Sequence, residues 1–230
     1  MASGHQPGQL IGAGRSADVY ALDQGRVLRR YRSDHDVRPE ALVMTHLAQA
    51  GFPVPRVYHA EGLDLVMERL DGTDMLADLG SRPWRARRHA RTLARLHDRL
   101  HEIDAPPGLP GLFGPGNRVL HLDLHPGNVM LTARGPVVID WTNARAGAPA
   151  ADVAMAYLIM ASSDVDDAPW WLRPAVRFVR ALLLRQFRAA VRDDPGPEIA
   201  RVARARIADP NVRPAEAGRL RRLAAQAERS

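Results

Sequence analysis

The chain has 230 residues, 46% hydrophobic and 25% charged, enough to bury a sizeable core as one large domain or two lobes. With no Cys, an apolar stretch at 153–161 too short to span a bilayer and no charged-then-apolar signal pattern at the start, the sequence excludes a disulfide framework and predicts a cytoplasmic protein without membrane contact. All 32 basic residues are Arg and the net charge is +6, but they are dispersed among Asp and Glu without interleaved aromatics, and Arg, Ala, Gly and Pro share GC-rich codons, so no nucleic-acid partner is expected.

Residues 10–22 read as a strand, a Gly-x-Gly turn at Gly12 and Gly14, and a second strand. Lacking Cβ atoms, these glycines let backbone N–H groups approach a phosphate. A dinucleotide-binding fingerprint requires a helix next, whereas Val19 to Leu22 followed by Asp23-Gln24-Gly25 predicts a hairpin. The next strand, 26–31, places Val27 and Arg29 on one face by alternation. Arg29 can donate two hydrogen bonds to a phosphate and never deprotonates; a solvent-facing edge Arg is the alternative.

Residues 37–50 predict a helix with Pro39 in its first turn, Gly51 as its stop and Leu42, Val43 and Leu47 as its apolar face. Glu40 stands where the helix dipole favours an acid. A Pro-stiffened connector from Phe52 leads into a strand, and 63–70 form another, ending at Asp71-Gly72. From 73 the pattern turns helical, with a short helix start at 73–79. A long helix follows over 83–103, striped by Leu93, Leu96, Leu100 and Ile103. His97 and His101 beside that stripe are packing or surface residues. Residues 105–117, rich in Pro and Gly, are a loop.

The stretch from His121 to Trp141 carries the chemistry. Val129 to Leu131 and Val137 to Ile139 read as two strands of a hairpin, turned at 133–136. Asp123 and Asn128 precede the first strand and Asp140 ends the second, so a hairpin brings three oxygen-bearing side chains to one point. A hard cation such as Mg²⁺ binds through such oxygens. Asx-turns and a capping Asp explain any one of these residues, but not all of them at this spacing.

The segment Asp123, His125, Pro126, Gly127, Asn128, then Ile139-Asp140-Trp141, resembles the loop of the aminoglycoside phosphotransferase family, whose pattern runs H-x-D-x-H-P-x-N. The resemblance implies an α+β, protein-kinase-like bilobal fold with an antiparallel-sheet N-lobe and a mainly helical C-lobe. It divides the chain into a nucleotide-binding lobe, 1–70, and a catalytic and substrate lobe, 71–230. It also implies transfer of the γ-phosphate of ATP, or GTP, onto a small-molecule hydroxyl, with Asp123 as catalytic base and Asn128 and Asp140 as Mg²⁺ ligands. Gly12 and Gly14 would cover the triphosphate, Val27 the adenine, and backbone groups of Glu68 and Leu70 the adenine edge. The family's phosphate-binding Lys is missing; Arg29 stands in its place, with Glu40 as the matching ion-pair acid. Asp152 would brace the catalytic loop, or cap a helix over 153–161. His121 would be structural, bonded to backbone near the metal.

Only eleven residues separate Asp140 from Asp152, leaving no room for the activation segment of a protein kinase. That points to a small substrate. Residues 168–229 predict three helices, the first from Pro169 to about Arg192 with Phe178, Leu182 and Leu183 on one face. Asp164, Asp166 and Asp167 are candidates to receive a cationic acceptor, or a solvated connector. Binding without turnover, as in a pseudokinase, and phosphorylation of a metabolic alcohol such as choline, homoserine or a sugar are the alternative functions.

Overall fold

Alternating apolar residues in the first third build a five-stranded antiparallel sheet. The computed structural model describes residues 7–229 apart from 15, 24, 34–35, 165–168 and 210–211. The sheet contains β1 (Leu10–Ala13), β2 (Ala17–Ala21), β3 (Arg26–Tyr31), β4 (Val57–Glu61) and β5 (Asp64–Glu68), in the order β1-β2-β3-β5-β4. The glycine-rich segment is therefore a hairpin turn, and no helix follows it. Helix α1 (Arg38–Gln49) packs on this sheet through Ala41, Val43, Met44 and Leu47. Leu42, expected on that face, is 48% exposed. The buried stripe is rotated by about one position because Glu40 faces inward with it.

The chain then crosses into a second body. Gly72–Asp74 form strand β6, where a helix start was expected at Thr73. A Cβ on Gly72 would stand 2.3 Å from the Leu131 carbonyl oxygen, so only glycine lets this strand lie against its neighbour. Asp74 then caps α2 (Met75–Ser81), accepting from the Ala77 N–H at 2.8 Å. A 3₁₀ turn at Pro83–Arg85 leads into α3 (Ala86–Leu100), whose buried side includes Leu93, Leu96, His97 and Leu100. Strands β7 (Gly111–Leu112), β8 (Arg118–Leu120), β9 (Val129–Thr132), β10 (Gly135–Val138) and β11 (Arg145–Gly147) make two small sheets, β10-β9-β6 and β7-β11-β8. The β9–β10 pair is the hairpin read from the sequence, in register Val129↔Val138.

Helix α4 (Pro149–Ser162) is apolar on nearly every side and correspondingly buried. It begins at Pro149, four residues before the expected start, so Asp152 lies inside the first turn and caps nothing. Around it lie α5 (Arg173–Ala190), α6 (Ile199–Ile207) and α7 (Pro214–Ala227). The inward residues of α5 are Leu183 and Phe187; Phe178, expected to join Leu182 and Leu183, is 70% exposed. One core cluster joins α1 to α3 through Trp141, which meets Phe52 edge-on at 5.8 Å and His121 at 4.5 Å. A second unites α4, α6 and α7. No helix is long and apolar enough to cross a membrane among the described residues.

Candidate active site

A cavity of about 600 Å³ opens between the five-stranded sheet and the β9–β10 hairpin. Gly14, Val27, Arg29, Glu68, Leu70, Asn128 and Asp140 all line it. Gly12 does not, since its position faces Val19, and Glu40 stands behind Arg29. Val27 and Arg29 share the inner face of β3, as strand alternation requires. The Glu68 N–H is already given to the Arg56 carbonyl at 2.8 Å. Leu70, in contrast, has no backbone hydrogen-bond partner among the described residues.

Arg29 ties the sheet to the hairpin. Its Nη1 donates to Glu40 Oε1 at 2.9 Å and its Nη2 to Asp140 Oδ1 at 2.8 Å. Burial alone would lower the guanidinium pKa, but the Glu40 and Asp140 carboxylates outweigh it and raise the value. Burial likewise pushes Asp140 up, and the Arg29 charge overrides it, holding the carboxyl below its usual range. The network extends further: Tyr31 donates to Glu40 Oε2 at 2.7 Å, and Thr142 Oγ1 lies 2.9 Å from the Tyr31 hydroxyl. Thr142 also donates to Asp140 Oδ1 at 2.9 Å. Burial, reinforced by the Glu40 carboxylate, keeps the Tyr31 phenol protonated.

The loop between β8 and β9 is held from beneath. Asp152 is fully buried; its Oδ1 accepts from the Leu122 N–H at 2.7 Å, and its Oδ2 from the His121 N–H at 3.1 Å and His101 Nε2 at 3.0 Å. Three donors stabilise the anion, and despite burial its pKa lies below the ordinary carboxylate range. This clamp holds Leu122 at a φ of 60°, a conformation a leucine rarely adopts. His121 Nδ1 accepts from the Asp123 N–H at 3.2 Å, so the proton sits on Nε2, which donates to the Ile139 carbonyl at 3.1 Å. That bond spans the two ends of the hairpin, as does the Ile139 N–H to the Asn128 carbonyl at 3.0 Å. Asp140 itself has a φ of 65°, which turns its carboxylate back toward the cavity lined by Asn128.

Asn128 Nδ2 donates to the Asp123 carbonyl at 2.9 Å and to Asp123 Oδ2 at 3.0 Å. Its amide oxygen is thereby left for another partner. Among the described residues no group of three or more His, Cys, Asp or Glu is placed to hold a metal. An Asn oxygen and an ionised Asp facing one cavity nevertheless suit Mg²⁺, which keeps most of its octahedral positions for phosphate and water.

Asp123 also faces a second pocket of about 470 Å³, formed where the ends of α4, α6 and α7 meet. Of the expected acidic loop, Asp164 lines this pocket, 3.5 Å from Arg219; Asp166 and Asp167 lie outside the described residues. Sequence reasoning missed Tyr31, Thr142 and the pocket's arginines Arg206, Arg213 and Arg219. Tyr31 was within reach, two residues beyond Arg29 on the same strand face. The arginines come from α6 and α7 with no motif spacing.

The sequence model of the phosphotransferase enzyme family APH matches residues 7–116 and 114–196. No curated protein sequence matches the chain. Among solved structures, a choline/ethanolamine kinase family protein from Mesorhizobium loti superposes with a TM-score of 0.55 at 14% identity, covering 99% of this chain and 89% of that one. An aminoglycoside-3′-phosphotransferase of type VIII gives a TM-score of 0.55 at 19% identity, covering 94% and 90%. A thermostable aminoglycoside phosphotransferase in ternary complex with AMP-PNP and hygromycin B gives 0.56 at 15%, covering 96% and 92%. These likenesses carry the protein-kinase-like fold, and the family model, spanning most of the sequence, carries the rest: this chain belongs to the phosphotransferase enzyme family APH and is a small-molecule phosphotransferase.

Proposed function

We propose that the protein transfers the γ-phosphate of ATP, or of GTP, to a hydroxyl of a small acceptor. Residues 1–70 serve as the nucleotide lobe and 71–230 as the catalytic and acceptor lobe. The Asn128–Asp123 hydrogen bond carries the reading, because Asn128 lines the interlobe cavity and Asp123 lines the helical pocket. A phosphoryl group on one side and a hydroxyl on the other would meet at that bond.

In the reaction, the acceptor oxygen attacks the γ-phosphorus while the bond to the β–γ bridging oxygen breaks, and ADP leaves with the electron pair. Asp123 orients the hydroxyl and takes its proton. Arg29 and the Gly14 turn position the triphosphate, Val27 covers the base, and Leu70 meets its edge through free backbone groups. Asn128 and Asp140 would hold Mg²⁺, which, when bound, neutralises charge on the phosphate oxygens. Glu40 and Tyr31 keep Arg29 in place. Most of the acceleration then comes from positioning and electrostatics. Use of ATP is supported by the AMP-PNP in complexes of the hygromycin-bound relative and of an amicoumacin kinase.

One observation favours the rival, nucleotide binding without transfer. Arg29 Nη2 and Thr142 Oγ1 both engage Asp140 Oδ1, so the Asp140 carboxylate is already partly committed within the protein. A coupled ADP-release screen across aminoglycosides, amino alcohols, sugars and hydroxy acids separates the two. Turnover of any acceptor supports transfer; stabilisation by Mg–ATP without turnover of any of them supports the rival.

A further inference from the structure

The helical pocket beside Asp123 has an unusual charge arrangement for a site that would take a polyamine sugar. Its carboxylates other than Asp123 are already engaged. Glu216 Oε1 accepts from Arg206 Nε at 2.9 Å and pairs with its Nη2 at 2.9 Å. Asp164 faces Arg219, and Asp209 has a partner as well. Arg219 is fixed a second time, its Nε donating to the Ser162 carbonyl at 2.7 Å. A cationic acceptor would have to displace these guanidiniums to reach the acids.

The cations are less fully occupied. Arg213 lines the pocket, is exposed, and has no ion-pair partner among the described residues. It sits at the N-terminus of α7, a 14-residue helix whose first turn no side chain caps. The first turn holds Pro214, which has no N–H, and Glu216; its remaining N–H groups favour an anion there. A second polar group is also unpaired among the described residues: Ser162 lines the pocket, is fully buried, and its Oγ has no hydrogen-bond partner among them. Behind the wall, Arg180 donates to the Ser163 carbonyl at 2.8 Å and is repelled by Arg219 and Arg177.

We propose that the acceptor carries an oxyanion, a carboxylate or a phosphate, close to the hydroxyl that is phosphorylated, and that Arg213 and the first turn of α7 bind it. This rests on the phosphotransferase reading above. A negative group would gain the Arg213 guanidinium without breaking an existing ion pair, whereas an ammonium group would compete with Arg206 for Glu216 and with Arg219 for Asp164. The transferred group and its atoms are those already described: the hydroxyl oxygen gains the phosphoryl group, ADP departs, and the proton goes to Asp123.

The test uses the full chain with saturating Mg–AMP-PNP for binding and Mg–ATP for turnover. The probes are glycerate and serine for a carboxylate, glycerol 3-phosphate for a phosphate, glycerol as the neutral control, and ethanolamine and kanamycin as cations. We expect one of the anionic probes to raise the melting temperature and to be phosphorylated at least about tenfold more efficiently than glycerol or either cation. Arg213→Ala should raise the KM for that probe about tenfold, the effect of losing one charge-assisted hydrogen bond, and abolish its thermal shift. Whichever of the carboxylate and phosphate probes responds identifies the oxyanion. Preference for ethanolamine or kanamycin, or an anionic probe whose binding ignores Arg213→Ala, would overturn the inference while leaving phosphotransfer intact. Absence of any stabilisation by Mg–AMP-PNP would instead remove the phosphotransferase reading, and the acceptor assignment with it.

Discussion

Arg29 Nη2 and Asp140 Oδ1 stand 2.8 Å apart, joining strand β3 to the end of a hairpin 111 positions later. The same guanidinium reaches Glu40, so one forked cation bridges two carboxylates from different parts of the fold. A lysine ammonium is a point charge and lacks this fork. The absence of Lys is therefore matched by a contact geometry that Arg in particular can make.

Replacing Arg29 should expose this dependence. Arg29→Met leaves the buried Glu40 facing Asp140 without a cation, and a loss of about 3–5 kcal/mol is expected in denaturant titration. Arg29→Lys keeps the charge but not both contacts, so its loss should be smaller, with a raised KM for Mg–ATP. Equal stability of all three proteins would show that the bridge contributes nothing.

The partner network makes a milder prediction. Tyr31→Phe removes the donor to Glu40 Oε2 but leaves the ring in place. A loss of about 1.5–3 kcal/mol is expected, as for a hydrogen bond to a charged group, together with a modest rise in the KM for Mg–ATP. An increase in stability on calorimetric melting would contradict the role given to the hydroxyl.

Two buried histidines give the fold a pH signature. Burial opposes the charge on His101, but Asp152 and Asp193 overcome it and raise its pKa from 6.5 to about 9. That stabilisation is complete below about pH 6.5 and is lost as pH rises through 9. His97 behaves oppositely: burial lowers its pKa from 6.5 to about 4, so stability falls as pH drops below 6.5 toward 4. The unfolding free energy should peak near pH 6.5, and the alkaline limb should slope by up to about 1.4 kcal/mol per pH unit. His101→Gln should flatten that limb. A wild-type curve that is level from pH 6.5 to 9 would contradict the assignment.

The hairpin within His121 to Trp141 was legible because its apolar runs and turn are themselves readable. Other positions were not. Leu42 and Phe178 both fit helical periodicity, yet periodicity cannot say which way a helix is rotated when a polar residue such as Glu40 occupies the buried face. The start of α4 was misplaced although Pro149 carried the signal of a first-turn proline. The role of Asp152 depends on backbone N–H groups thirty residues away, which leave no trace in side-chain pattern. The arginines of the helical pocket converge only through the packing of α6 and α7, with spacing that belongs to no motif.

Removing the brace should damage chemistry more than nucleotide binding. In Asp152→Asn one oxygen becomes a donor pointed at donors, so a stability loss of about 3–5 kcal/mol is expected. Leu122 can then relax its positive φ, and Asp123 moves with it. Transfer rates should fall more than the affinity for Mg–ATP in the surviving folded protein, as read by steady-state kinetics below the unfolding temperature.

The central claim is that Asp123 acts on the acceptor while its neighbours hold the nucleotide. It is tested most directly by measuring phosphoryl transfer by Asp123→Asn, alongside calorimetric binding of Mg–ATP to the same preparation. The account predicts transfer reduced by about 10²- to 10⁴-fold, the usual contribution of a positioned base, with nucleotide affinity unchanged. Transfer at the wild-type rate by Asp123→Asn would contradict it.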